Sequence, residues 1–210
     1  MKKSQVIKLV IILLIVIAII VAISKISGNK NKENQKLADL STELKSSQTY
    51  LFEIEKDSET KTIMAKKDNK TIIDHYSEGN HSTTIVKDNN TYLVLHDREE
   101  YYVYEGNTIE QDILTEGLGE VALKEFTTGT EKVKGKKYYY EEFQGTTMFI
   151  MANSLEGNEE EVKTRFYFDN DNNLVYIRTI KGSYQELLKI NIQKEVDDST
   201  FEIPSHYAEG

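Results

Sequence analysis

The residues best equipped for chemistry in this 210-residue sequence are its four histidines, His75, His81, His96 and His206, and an acidic turn at Asp169–Asn173. Asp169, Asp171 and Asn173 stand at i, i+2 and i+4, the spacing at which a calcium loop presents its first oxygen ligands. The glycine such a loop needs next is Leu174 here, and its closing glutamate is Ile180. The segment also lies between two strand-like runs rather than two helices, so it reads as a hairpin turn. No histidine pair forms HExxH or stands at i, i+4. His75 and His96 fall in strand-like runs on opposite sides of a turn-rich segment, and the histidines read as surface or rim residues, with no metal site assigned.

Other chemistry fares no better. Gly129 to Lys136 has the look of a phosphate loop. Its glycine interval is one residue too long, no Ser or Thr follows Lys136, and a strand follows it. No GxSxG is present. The acidic pairs Glu99-Glu100 and Glu141-Glu142 sit in alternating runs, which would point the two members of each pair to opposite faces. Cysteine is absent, which removes disulfides, thiolate zinc sites and thiol catalysis. The sequence therefore assigns no catalytic residue, no metal ligand and no cofactor. Tyrosines are the most distinctive group, with Tyr101, Tyr102, Tyr104, Tyr138, Tyr139 and Tyr140 filling two strand-like runs. Cross-strand packing accounts for them. A sharper reading is an amphipathic lining for a ligand, since a tyrosine offers a ring and a polar tip.

The elements that must position these residues begin with Val6–Ile23, VIKLVIILLIVIAIIVAI, apolar except for Lys8. As a helix it spans about 27 Å, close to a bilayer's hydrocarbon core. Fifteen unbroken apolar residues from Leu9 to Ile23 exceed a signal-peptide core, and Val21-Ala22-Ile23-Ser24 is a poor cleavage site. Residues 1–26 are accordingly expected to be an uncleaved signal-anchor and 27–34, SGNKNKEN, a stalk. Residues 1–36 hold seven Lys and one Glu, net +6; the whole chain is −9, which leaves −15 for residues 37–210. A short basic tail before a long acidic domain predicts a single-pass protein of the cell membrane, N-terminus in the cytoplasm and C-terminal domain outside. The acidic balance argues against nucleic acid as a partner.

After the stalk, Leu37, Leu40 and Leu44 mark one stripe of a helix within 35–48, with Asn34 as its cap. From Thr49 the period becomes two: Tyr50, Phe52 and Ile54 share one face and Glu53 and Glu55 the other. Turns at Asp57–Thr60, Asp68–Lys70, Glu78–Asn80, Asp88–Asn90 and Asp97–Glu99 then separate short strands, the signature of an antiparallel meander. Thr108 could cap a second helix through IEQDILTEGLGEV that ends at Gly117 and Gly119. Strands resume with FTTGTEKV and KKYYYEEF around Lys134-Gly135, then TTMFIMAN, a loop at LEGNEEEV, TRFYF, LVYIRTI and YQELLKINIQ. Residues 35–210 are long enough for one ordinary core.

This order, with EKVKGKKYYYEEF, FYFDNDNNLVYIR and the closing FEIPSHY, resembles the LolA/LppX-like lipoprotein-carrier superfamily in a membrane-anchored, low-GC Gram-positive form. The resemblance covers nearly all of residues 35–207. It implies an α+β fold: a curved antiparallel sheet, an incomplete barrel, with one helix before it and one inserted, often around an apolar cavity. The chain departs from the shuttling carriers in keeping an anchor and lacking a lipobox cysteine, and no family residue is carried over as a site.

Three functional readings follow. The first is a non-catalytic, extracytoplasmic binding module that holds or senses a lipid or other amphiphilic envelope component. The second is a structural or regulatory interaction protein of the envelope, solid in its core. A hydrolase is the third and has no constellation behind it.

Overall fold

A computed structural model of the chain describes residues 35–107, 113–145 and 162–210. Val6–Ile23, the stalk with Asn34, Thr108, all of TTMFIMAN and all of LEGNEEEV but Val162 lie outside the described residues. Among the described residues, no helix is long and apolar enough to cross a membrane.

The described residues form two helices, α1 (Lys36–Ser46) and α2 (Ile113–Ala122), and one twelve-stranded sheet. Its first six strands are β1 (Thr49–Glu55), β2 (Thr60–Lys67), β3 (Lys70–Ser77), β4 (Asn80–Lys87), β5 (Asn90–Leu95) and β6 (Glu100–Glu105). After α2 come β7 (Phe126–Val133), β8 (Lys136–Gln144), β9 (Lys163–Phe168), β10 (Leu174–Lys181), β11 (Tyr184–Gln193) and β12 (Ala208–Glu209). The spatial order is β12-β6-β5-β4-β3-β2-β1-β11-β10-β9-β8-β7. Two meanders thus run outward from a central seam, where Phe52 stands opposite Ile192 and Ile54 opposite Ile190. The α+β class and the open sheet with one preceding and one inserted helix agree with the sequence reading. One ladder departs from it, since β12 runs parallel to β6.

Two-residue turns set the registers. Both central residues have positive φ at Glu78-Gly79, Asp88-Asn89 and Lys134-Gly135. That is the twist a tight hairpin needs, and it is why Gly and Asn recur there.

The two faces of the sheet bury different things. On one, α1 and α2 cover the seam and β8–β10. Leu37, Leu118, Phe52, Phe143, Phe166, Ile177 and Leu188 have no exposed surface there. Each such side chain contributes roughly 1.5–3 kcal/mol of burial. On the other face the C-terminal segment crosses β2–β5 and sets Val196 and Phe201 on Ala65, Ile72, Ile85 and Val94. Lys67 and Lys87 pin it by donating to the carbonyls of Val196 (3.1 Å) and Phe201 (2.9 Å). The two faces are called here the helix face and the tail face.

Two local expectations need correction. Gly117 and Gly119 do not end α2; they lie inside it, and Ala122 ends it. The reason is packing: a Cβ on Gly119 would meet Ser41 Oγ of α1 at 3.2 Å, and the same Ser41 hydroxyl donates to the Thr115 carbonyl at 3.1 Å. Glu99 is not in a strand. It closes a 3-10 turn, His96–Arg98, in the left-handed conformation with φ 54°.

Candidate functional site

Hairpin arithmetic brings two of the singled-out histidines together. The turn at Glu78-Gly79 sets Asp74 opposite Thr83 and Tyr76 opposite His81. The turn at Asp88-Asn89 sets Ser82 opposite Leu95, so that His96, one step on, follows beside His81. Asp74, Tyr76, His81, Thr83 and His96 therefore all stand on the tail face. The rings form a column. Tyr76 stacks on His81 with centroids 3.8 Å apart, and His81 stacks on His96 at 3.6 Å and 6°. Tyr207, from the C-terminal segment, meets His96 edge-on at 5.5 Å.

The polar atoms of the column are linked. His81 Nε2 lies 2.8 Å from Asp74 Oδ1. The Thr83 hydroxyl donates to the same carboxylate oxygen and lies 2.7 Å from His96 Nε2. His96 Nδ1 lies 3.0 Å from the Tyr207 hydroxyl. Since Thr83 spends its one proton on Asp74, His96 meets Thr83 as an Nε2–H donor, and Tyr207 donates to Nδ1. Burial holds His96 below the usual imidazole range, and the neighbouring His81 pushes the same way against the pull of Asp74 and Asp97. One ligand atom from each of Asp74, His81 and His96 lies within 4.8 Å of the others, all at half-buried positions.

This group has the residue types of a nucleophile–base–acid relay but not its wiring. Thr83 is 4% exposed and gives its proton to the carboxylate rather than to an imidazole, so it is neither reachable nor activated. His75 points to the helix face, bonded at 2.9 Å to Thr62, and burial lowers its pKa. His206 is exposed beside Tyr207.

The other sequence candidates are structural. Asp169 turns its carboxylate inward to accept from Asp171 N at 2.9 Å and Asn173 N at 2.8 Å, which makes a hairpin of the calcium-like spacing. Glu141 and Glu142 do point to opposite faces. Glu141 is fully buried on the helix face, while Glu142 accepts from Arg165 Nε at 2.6 Å on the tail face. Lys134-Gly135 is a hairpin turn between β7 and β8. Tyr138, Tyr139 and Tyr140 pack across strands on Tyr176, Phe168 and Tyr167. A Cβ on Gly129 would strike the Tyr140 ring at 2.5–2.9 Å, so only glycine leaves room for it. Tyr167, bonded to Glu131 at 2.8 Å, is pushed up to about 12, first by burial and then by that carboxylate.

The other half of the helix face is built differently. Among the described residues, the helix core contains no residue of β3–β6. On that half of the helix face the strands carry Ile73, Val86, Leu93 and Leu95 interleaved with Thr71, Ser82, Thr84 and Thr91. Val86 and Leu95 are buried, and Ile73 and Leu93 are partly so.

No family model matches the chain, and none of the curated proteins does. Among solved structures, an uncharacterized conserved protein from Thermus thermophilus has a TM-score of 0.47 at 7% identity, over 84% of this chain and 97% of that one. The lipoprotein LppX of Mycobacterium tuberculosis has a TM-score of 0.44 at 12% identity, over 77% of this chain and 94% of that one. Neither likeness assigns the chain to a family.

Proposed function

We propose that this protein is a membrane-anchored extracytoplasmic binding module that holds a lipid or other envelope amphiphile, without turnover, on the helix face of β3–β6. One observation carries the reading. The two helices are packed over one half of that face, and among the described residues their core includes no side chain from the other half. There, aliphatic residues alternate with threonine and serine hydroxyls, the mixture that receives an acyl chain and orients its polar end. Val6–Ile23 would hold this domain at the membrane where such molecules are found, and the basic stalk would space it from the surface. The acidic domain supports the second reading, an envelope interaction module, since net −15 over residues 37–210 could dock a basic partner.

Native mass spectrometry and displacement of a fluorescent fatty acid, both on full-length protein in detergent, separate the two. The binding module predicts saturable probe uptake that Leu93→Lys abolishes and Val103→Lys does not. Val103 lies on the tail face and is 38% exposed. If wild type takes up no probe, or the Leu93→Lys protein binds it as wild type does, the amphiphile site is wrong and the interaction module stands.

A further inference from the structure

The tail face, opposite the proposed amphiphile site, carries a donor set of its own. We propose that Asp74, His81 and His96 bind a divalent transition-metal ion of the zinc class. Asp74 lies on β3, His81 on β4 and His96 one residue past the end of β5, and two-residue turns fix the registers of these strands, so the backbone presents the three together rather than by chance side-chain reach. Two imidazole nitrogens and one carboxylate oxygen are a ligand set that zinc favours over magnesium or calcium, which prefer all-oxygen shells.

The surroundings fit a metal in three ways. First, the donor atoms lie within 4.8 Å of one another. An ion at about 2.0–2.2 Å from each needs them turned toward a common point. Second, His96 has an outer partner. Tyr207 OH, 3.0 Å from Nδ1, aims Nε2 at Asp74 and Thr83, and an outer hydrogen bond of this kind orients most metal-bound imidazoles. A hydroxyl accepts as readily as it donates, so when metal takes Nε2 the ring proton moves to Nδ1 and Tyr207 turns its own proton away. Third, Asp74 and His81 are 14% and 24% exposed in their side chains, which leaves a route for the ion.

Entry also has a definite structural consequence. The His81 and His96 rings are parallel at 3.6 Å, so their lone pairs cannot meet at one point. The rings must splay, the 2.8 Å Asp74–His81 bond must open, and the fourth position falls to water or to Thr83 Oγ1. Metal binding at the column would then tie β3, β4 and the end of β5 together, and through Tyr207 the C-terminal segment with them.

The test is isothermal titration of untagged full-length protein in detergent micelles with Zn²⁺, repeated with Co²⁺ to read coordination from its visible bands. Wild type should bind one ion per chain. Asp74→Asn and His81→Phe should each weaken binding by more than tenfold. His81→Phe keeps a ring between Tyr76 and His96, so loss of binding there is not loss of the stack; its unchanged circular dichroism checks the fold. Tyr207→Phe, a positioning change, should weaken binding by about tenfold and be recovered by none of the donors elsewhere. His75→Gln, on the opposite face, should stay within about threefold of wild type. Absence of saturable uptake of either ion overturns the site. So does uptake that survives both Asp74→Asn and His81→Phe, or that falls as far in His75→Gln.

Discussion

Replacing Glu141 should detach the first helix from the sheet. Glu141 lies mid-strand in β8 and has no exposed surface. Its Oε1 accepts from Lys36 N at 2.7 Å and its Oε2 from Leu37 N at 3.1 Å. These are two of the donors that the start of α1 cannot satisfy within the helix, and Gln35, the residue at the cap position, gives no side-chain bond there. Its amide instead donates to the Ala122 carbonyl at the end of α2, at 2.8 Å. Glu141→Ala leaves both donors without an acceptor, at about 1–3 kcal/mol for each one that stays dry. Lys36 N is only part-buried, so water takes up some of its loss, and removing a buried carboxylate recovers desolvation. The net expectation is about 2–4 kcal/mol, read by urea denaturation of full-length protein in micelles. Glu141→Gln keeps one acceptor oxygen and should lose about half as much. The pH dependence has a definite sign. Burial pushes the Glu141 carboxyl above the ordinary range, against the pull of the two N–H bonds. Folding then favours the protonated form, so this group's stability is present below the unfolded value of about 4.3 and is lost as pH rises through the higher folded value. Wild type should gain on Glu141→Gln as pH falls through that range. A Glu141→Ala protein within about 0.5 kcal/mol of wild type refutes the capping role; a wild-type advantage that shrinks in acid would instead mean that the two N–H bonds outweigh burial at this carboxyl.

Three other perturbations have equally definite outcomes. Glu131 accepts from Arg178 at 2.5 Å, Arg165 at 2.8 Å and Tyr167 at 2.8 Å. Burial raises its pKa, but these bonds outweigh it and hold the carboxylate below its usual range. The stability it contributes should be full above the ordinary carboxylate pKa and fade as pH drops through the depressed value. Glu131→Gln should abolish that acid slope and cost about 1–2 kcal/mol, since the partners are partly solvent-screened; an unchanged slope would falsify this. Gly129→Ala should cost about 1–3 kcal/mol by displacing the Tyr140 ring, and little in a Tyr140→Ala background; equal costs in both would exclude the clash. Protease added to intact, wall-stripped cells should remove residues 27–210 and spare a small membrane stub; resistance until lysis would reverse the proposed orientation, and mature protein in the medium starting near Lys25 would make the segment a signal peptide.

The strands were legible because their ends carry the information. Glu-Gly, Asp-Asn and Lys-Gly pairs occupy the turns that require positive φ, and the predicted runs FTTGTEKV, TRFYF and YQELLKINIQ coincide closely with β7, β9 and β11. The seam between β1 and β11 was not legible, since its partners stand more than a hundred residues apart and no local pattern selects one strand over another. The same holds for Glu141 as a cap. Asn34 satisfies the local rule for a helix start, whereas a carboxylate 104 and 105 residues away became available only when the sheet was assembled. Glycines misled in α2 because their usual meaning as helix ends was overridden by the close approach of α1.

The histidine column falls between these cases, and it shows what a motif search overlooks in a meander. Searched as a linear pattern, Asp74, His81 and His96 have spacings of seven and fifteen that match no metal signature. In a hairpin, however, chemistry is set by reflection about the turn rather than by spacing along the chain. The turn after Ser77 maps His81 onto Tyr76 and Thr83 onto Asp74; the turn after Lys87 maps His81 onto His96. Both turns were readable from Gly79 and from Asp88-Asn89. Two reflections would therefore have placed Asp74, His81 and His96 on one face, on two adjacent strands and just past the end of a third, from the sequence alone. What reflection could not supply is Tyr207. It reaches His96 only because Phe201 anchors the C-terminal segment across β2–β5 and β12 then pairs with β6. The donors of the proposed metal site were thus encoded locally, while the residue that orients one of them depends on the completed fold.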